Sequence, residues 1–563
     1  MSYPKNNSYL TKSIGGIQAA RIRKFLNRTT SDPNCYFLGN CNQPNPVKTD
    51  IEVDNFVIGA GIGGTYLSAR LVNFEPNSTL LLVDKLSDYG GLMTSSKVFD
   101  TDTHIDLGPI RFYQSIHPRV YYLSQKYNLS LTQYLPSSAG QVCYLRDKKF
   151  NMSTVFPDSD AVYNIREDEK NINPFDTLYN NLLEYFPNTG SLYLLETRIE
   201  LYKNTDYSNS VFQSKAQKNI SQENWQRIED ILGYNDLFSV KINFITDSLE
   251  TLSLTNQSSI QYRFTEGYSI LPKTIASNNN LQNITFNNIE AYSFDVQKYK
   301  SLFNTAVLDI SFSQKKQMWA IVIGSVLVNS PEDISYSPTQ IKTVYAKKIY
   351  NTIPLLYLKN IHKFSNSYLN ICENSFVNFQ IMRIFLRFDT DWLTEMGIGY
   401  GKSVTTLNGA QLIHYSDKIL MFYAFNTQTS KLYDKLPNNI QIQKQMIEPN
   451  SDTQPLIDEC LDIISKSYEV EIANLPQVNG IAYASWIHPI RCFSGRNLQN
   501  LSSRSLYDQL IEIMFPYGIN GNFYVMENNI SFNAAWSEGS LEIVDFFMNY
   551  KYNQELFGED LIN

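Results

Sequence analysis

The chain has little with which to build disulfide or metal chemistry. Six cysteines and five histidines are scattered over 563 residues, too few and too dispersed for a disulfide framework or a multi-histidine centre. Cys35 and Cys41 are close in sequence, but at a spacing that fits no metal motif. No metal site is therefore expected. Positive charge is not in surplus either. The formal net charge is −8, which excludes the broad basic face of a nucleic-acid binder. Long apolar runs are missing: the longest, Met318–Val328 (MWAIVIGSVLV), falls far short of the ~20 residues of a bilayer span and reads as a buried strand. The first thirty residues hold no apolar h-region, so neither a secretory signal nor a membrane role is expected. What is present is a globular composition, 43% hydrophobic and 18% charged. At about 100–200 residues per domain it forecasts three or four domain-sized units.

The sequence divides by texture. Residues 1–50 are polar, with turns near Pro33 and Pro46, and read as an N-terminal arm carrying a short helix at Gly16–Leu26. Residues 51–115 read as α/β, residues 116–255 as mostly helical, residues 256–372 as strands joined by Asn-rich turns. Residues 373–515 mix strands with one long helical stretch around Ile440–Tyr468, and residues 516–563 return to strand, loop and helix.

The strongest local signal is an apolar strand, Phe56-Val57-Ile58, running into Gly59-Ala60-Gly61-Ile62-Gly63-Gly64 and then into a helical pattern at Thr65–Asn73. In such a turn Gly59 permits the bend, Gly61 lets the backbone approach a pyrophosphate, and Gly64 allows close helix–strand packing. The helix N-terminus offers N–H groups to the phosphates. A second strand, Leu80–Val83, ends in Asp84 about twenty residues further on, where a carboxylate accepts hydrogen bonds from a ribose. Together these predict a dinucleotide-binding unit.

Beyond it lie Gly90-Gly91-Leu92 and then Leu107-Gly108-Pro109-Ile110-Arg111. With these the sequence resembles the FAD-dependent amine oxidase superfamily, and within it the L-amino-acid oxidases. Further segments resemble the family in order: Glu266-Gly267-Tyr268 through Pro272, a strand around Ile284–Ile289, Lys347 through Pro354, Arg383 through Leu407, Met421-Phe422-Tyr423, Ser485-Trp486, Val525-Met526-Glu527, and Ala535-Trp536-Ser537-Glu538-Gly539. The resemblance covers most of residues 51–550. It implies an α/β, multidomain architecture: a Rossmann-like FAD-binding domain in three segments (51–115, 256–372 and 516–563), a mixed-sheet substrate domain (373–515), and a helical insertion within 116–255 that also contributes to the substrate domain.

It also implies roles. FAD would lie along Gly59, Gly61, Gly63, Gly64, Asp84, Gly90, Gly91, Gly108, Pro109, Ile110 and Arg111, with Ile289 on the adenine side and Glu527, Ala535, Trp536 and Ser537 nearer the ring. Arg111 and Tyr423 would orient a substrate carboxylate, since a planar guanidinium holds one in a bidentate pair; a purely structural pairing of Arg111 with Asp106 is the competing reading. Trp486 and Trp536 would wall the pocket, and hydride would pass from the amine carbon to flavin N5, followed by imine hydrolysis and reoxidation by oxygen or another acceptor. Cys492 reads as a structural thiol rather than a covalent flavin attachment. The family's homo-oligomers make self-association a further expectation.

Three positions depart from the family pattern. Leu92 replaces an arginine that touches a phosphate. Met526 replaces a glycine, with bulk to crowd the cofactor. Arg383 replaces a lysine that holds a water near N5. In addition, residues 118–361 contain no histidine to serve as an imidazole base. These departures define the rival reading, a catalytically degenerate oxidase-fold protein with a structural or binding role. The Asn- and Tyr-rich composition (38 Tyr) resembles that of proteins from AT-rich genomes, amoeba-infecting giant viruses included. A virus-particle component would suit the rival reading. The expected location is otherwise cytoplasmic.

Overall fold

The computed structural model describes residues 51–115, 117–134, 140–173, 218–233, 260–291, 299–328, 340–374, 376–407, 410–425, 429–437, 442–493, 505–531 and 537–554, with a few isolated residues between them. The expected N-terminal arm and its Gly16–Leu26 helix, and Ala535 and Trp536, lie outside the described residues.

Two eight-stranded sheets organise the chain. In the first, the strands Gln282–Ile284, Tyr299–Leu302, Leu80–Val83, Ile51–Ile58 and Ile341–Asn351 run side by side and parallel. Phe523–Val525 pairs with Ile341–Asn351, also parallel. Met318–Ser325 and Thr305–Ser313 extend the sheet as an antiparallel pair, so the apolar run at Met318 is indeed a strand. Strands buried on both faces must be apolar almost throughout, and Phe56, Val57, Leu80, Leu81, Leu82 and Val83 are all at most 1% exposed. The parallel ladder needs a crossover between neighbouring strands. The helix Ile62–Phe74 provides it between Ile51–Ile58 and Leu80–Val83. Packed on this layer is the closing helix Ser537–Tyr552, buried on every side from Ser537 to Met548.

The second sheet runs Ile442–Ile447, Val478–Phe493, Phe376–Phe388, Ile419–Phe425, Ala410–Ser416, Gly401–Thr405, Val142–Leu145, Lys148–Asn151. It is antiparallel except where Gly401–Thr405 meets Val142–Leu145. Alternation along Phe376–Phe388 splits its residues between two faces. Met382, Ile384, Leu386 and Phe388 pack into one apolar core with Leu412, Leu420 and Phe422. Phe385 packs the other way, with Met421, Ala482, Ala484, Tyr423 and Trp486. Arg383 shares that second face by the period of two.

Three sequence expectations need correction. The helical stretch Ile440–Tyr468 is a strand, Ile442–Ile447, followed by a helix that begins only at Gln454, with Pro455 in its first turn. The four-residue spacing of Ile442 and Met446 imitates a helical stripe. In region 116–255 the described residues hold the helices Pro118–Lys126, Val155–Asp158 and Gln222–Leu232, but also the strand Leu131–Gln133 and the hairpin Val142–Asn151, which completes the second sheet and which the helical expectation omits. The strand expected over Ile284–Ile289 ends at Ile284, and Ile289 sits fully buried in the 3-10 turn Phe286–Ala291.

Candidate functional site

Where Ile51–Ile58 ends, the backbone turns at Gly59 with φ +99°, a conformation that suits glycine. A Cβ on Gly64 would lie 1.9 Å from the Gly59 carbonyl, so only a glycine lets the helix start this close to the strand. Gly61 differs. A Cβ there would meet nothing nearer than the Gly90 carbonyl at 3.9 Å, so the space over Gly61 is open, and Gly90 pairs with Gly61 through a parallel bridge. Gly91, at φ +58°, closes on the Gly61 Cα from the other side. The helix Ile62–Phe74 begins at Gly61 with no side-chain cap, which leaves its first N–H groups for an anion. An open glycine cradle at an uncapped helix N-terminus suits a pyrophosphate. Gly63 contributes differently: a Cβ there would make ordinary contact with Ser540 of the closing helix, and Ser537 is buried at that helix's start.

Asp84 is half-buried and accepts the backbone N–H of Ala60 at 2.6 Å and of Leu86 at 2.8 Å. It therefore fixes the glycine loop. A carboxylate has about four lone-pair positions, so acceptor capacity remains for a ribose. Burial pushes its pKa up, against these two N–H donors and the charges of Lys85 and Lys444. Leu92 is 41% exposed, and Met526 is buried in the core rather than projecting from it. Glu527 is also buried, and its carboxylate accepts the Leu355 N–H at 2.5 Å, at the start of the helix Leu355–Ile361.

The segment Asp106–Arg111 joins this cradle to the second sheet. A Cβ on Gly108 would collide with the Leu92 carbonyl at 1.7 Å, so the segment is packed directly on the cradle's rim. Trp486 donates its indole N–H to the Leu107 carbonyl at 2.9 Å, and Arg383 donates to the Asp106 carbonyl at 3.3 Å. Arg383 is directly opposite Tyr423 on one side and Ala484 on the other, and its guanidinium stands 5.1 Å from the Tyr423 ring centre. Arg111 lies 5.9 and 5.7 Å from the ring centres of Tyr113 and Tyr134. The Asp106 carboxylate accepts from Ser95 (2.6 Å), the Tyr268 N–H (2.8 Å) and the Tyr415 hydroxyl (3.2 Å). Burial pushes the Asp106 carboxyl up, and these donors and the Arg383 charge oppose it. Burial foremost, and the charge of Arg111, push Lys402 down to about 8. Pro109 is half-buried and Ile110 buried in the same segment. The structure brings Arg383, Trp486 and, through Arg383, Tyr423 to one segment of chain, at whose end Arg111 stands beside Tyr113 and Tyr134. The side chain of Cys492 lies outside the described residues.

Residues 57–126 match the family model of an NAD(P)-binding Rossmann-like domain. An uncharacterised protein of Acanthamoeba polyphaga mimivirus is 22% identical over 524 residues, which cover 90% of this chain and 94% of that protein. Among solved structures, cyclohexylamine oxidase from Brevibacterium oxydans aligns with a TM-score of 0.59 at 13% identity, over 90% of this chain and 99% of that one. A putrescine oxidase variant redesigned in its cofactor binding aligns with a TM-score of 0.59 at 10% identity, over 90% of this chain and 100% of the other. The chain has the fold of these amine oxidases. It is a mixed α/β structure with a Rossmann-like unit, and among the described residues no helix is long and apolar enough to cross a membrane.

Within this oxidase fold a buried charge network escaped sequence reading. Arg119 donates through Nη1 to Glu538 at 3.0 Å and through Nε to Asp545 at 2.8 Å. Glu538 also accepts the backbone N–H groups of Arg119 (3.2 Å) and Val120 (3.0 Å), which caps the helix Pro118–Lys126. Asp545 accepts from the Tyr66 hydroxyl at 2.9 Å and forms an ion pair with Arg70. The helix after the cradle, the Pro118–Lys126 helix and the closing helix are thereby tied at one buried point. The retained Glu538 thus serves a helix, while Arg119 and Asp545 carried no local motif that would have marked them.

Proposed function

We propose that the protein is an FAD-dependent amine oxidoreductase of the L-amino-acid oxidase type. The observation that supports it best is the junction itself: one short segment, Asp106–Arg111, packs on the rim of the open glycine cradle and against the sheet face that carries Arg383, Tyr423 and Trp486. The cradle fits a dinucleotide pyrophosphate through Gly59, Gly61, Gly63, Gly64, Gly90 and Gly91, with Asp84 toward a ribose and with Gly108, Pro109, Ile110, Ile289, Glu527, Ala535, Trp536 and Ser537 as further proposed contacts. FAD bound there would supply a two-electron acceptor for the C–H bond of an amine, the resulting imine being hydrolysed by water.

The chain's own residues do the positioning. Arg111 binds the α-carboxylate, and the Tyr423 hydroxyl donates a further hydrogen bond to it. Arg383, held on the Asp106 carbonyl, keeps a fixed positive charge at the same face. Trp486, pinned by Leu107, is a rigid apolar wall that excludes water, and Trp536 is a second proposed wall residue. Holding the reacting carbon in one orientation is the main contribution asked of such a protein. Oxygen or another acceptor would complete turnover, in a monomer or a homo-oligomer.

The test is the visible absorption spectrum of the purified protein, then anaerobic addition of an L-amino-acid mixture. A flavin spectrum that bleaches is the expected result. A flavin spectrum that persists removes the substrate class. A colourless protein that takes up no added FAD overturns the reading. One observation favours the rival, non-catalytic scaffold: Leu92, at the place of a phosphate-binding arginine, is 41% exposed and offers no charge. A colourless protein that takes up no added FAD would favour that rival.

A further inference from the structure

We propose that this site takes an amine bearing two acidic groups, an α-amino dicarboxylate, with Arg263 and Tyr134 receiving the second acidic group; the inference rests on the amine-oxidising reading of the same site. Tyr134 is 6% exposed, and its hydroxyl, which has the Arg111 guanidinium beside it, donates to no acceptor among the described residues. An unmade hydrogen bond in a buried phenol is uncommon and calls for a partner. The Arg111 guanidinium stands 5.7 Å from the Tyr134 ring centre, Arg263 pairs across the strands with Thr132, two residues before Tyr134 and on the same face, and the charges of Arg111, Arg263 and Arg383 all act on the Tyr134 hydroxyl. The three arginines come from three separate stretches: the segment after Gly108, the strand Gln261–Phe264 and the strand Phe376–Phe388. Arg263 is steadied by the Tyr415 ring, 5.2 Å away, and donates to the Tyr415 carbonyl at 3.4 Å.

A second idle donor lies in the same field. Tyr268 is fully buried, its hydroxyl is without a hydrogen-bond partner among the described residues, and Arg111 and Arg383 act on it electrostatically. Lys402 adds a further cation within reach of Arg111. Asp106 offsets part of this charge, beside Arg383, with its oxygens engaged by Ser95, Tyr268 and Tyr415. Arg383 is buried and Arg111, Arg263 and Lys402 are half-buried; like charges in such partly screened surroundings repel, and an entering anion relieves that repulsion while supplying acceptors to both phenols. A substrate carboxylate on Arg111 and Tyr423 engages one end of this array. Arg263 with Tyr134 is a second, separately anchored cation and donor pair, and so matches a second acidic group.

The full-length protein, saturated with FAD, would be titrated calorimetrically with glutarate and with valerate. Both have five carbons and neither carries an amine, so neither turns over. Glutarate is expected to bind at least tenfold more tightly, and Arg263→Gln to bring the ratio of the two affinities close to one. Tyr134→Phe, which removes only a hydroxyl, should narrow the ratio several-fold and carries the test if Arg263→Gln fails to fold by circular dichroism. Equal binding of the two acids, or a glutarate preference untouched by both variants, overturns the proposal. A protein that prefers glutarate in this way but is bleached by no amino acid fails only the oxidase reading. One bleached by neutral amino acids and indifferent to glutarate fails only this inference.

Discussion

The two glycines at the helix start make opposite demands that mutation can separate. Gly64→Ala forces a Cβ against the Gly59 carbonyl and should cost several kcal/mol, at or above the ~1–3 kcal/mol typical of overpacking, seen as a lower thermal midpoint with or without flavin. Gly61→Ala meets only open space. Its melting should match the parent in the absence of cofactor, while FAD affinity in a fluorescence titration falls at least tenfold. Arg111→Lys replaces a planar fork by a point charge. On the proposed role it should raise KM for an α-amino acid by about tenfold or more, one hydrogen bond's worth at ~1.4 kcal/mol, and change that for a simple amine little. These positions were legible in the sequence because their requirements are local: a steric need at Gly59 and Gly64 shows as glycine whatever lies elsewhere. Arg263 and Tyr134 were not legible. Neither belongs to a motif, and they meet only because the strand Gln261–Phe264 pairs with Leu131–Gln133, just before Tyr134.

Helices carry the next level of argument, through the buried ties of Arg119. Removing one member of a buried ion pair strands the other, at about 3–5 kcal/mol. Arg119→Met should therefore lower stability toward that order in a denaturant titration, because buried Glu538 loses its cation and keeps only backbone N–H donors, while Asp545 falls back on Arg70 and Tyr66. Burial holds the Glu538 carboxyl at about 7, against 4.5 for the ordinary group, with the Arg119 charge opposing. The folded state thus binds this proton more tightly than the unfolded chain. Its contribution to stability is full below about 4.5 and is lost as pH rises through about 7. Glu538→Gln keeps the acceptor for the Val120 N–H and should flatten that slope in melts recorded from pH 5 to 7.5. No sequence window could show this network, since Arg119 and Glu538 are 419 residues apart. The short elements were illegible for another reason. A four-residue strand such as Lys148–Asn151, with a pattern of mostly exposed residues, contains too few repeats to establish a period.

Across the whole molecule, ligand binding and folding share one free energy. A cofactor that binds only the folded state stabilises it by about 2.7 kcal/mol at a hundredfold excess over Kd, so added FAD should raise the melting temperature, and a tenfold weaker Gly61→Ala should lose about half of that rise. The order of motifs along the chain conveyed the α/β layers and the second sheet, because long apolar strands and glycine turns keep their sequence. The pairing of Val142–Leu145 with Gly401–Thr405 was invisible, since partners so remote leave no mark on either segment. The closing helix has a consequence in time. Tyr66, next to the cradle, finds its partner Asp545 479 residues later. At roughly 5–20 residues per second of synthesis, the cradle's helix waits about 25 to 95 seconds for Asp545 and Glu538 to be translated. During that interval Arg70 and Arg119 have no carboxylate from the closing helix to meet. A nonsense mutation ahead of Ser537 would release a polypeptide with every glycine of the cradle in place and the helix behind it untethered.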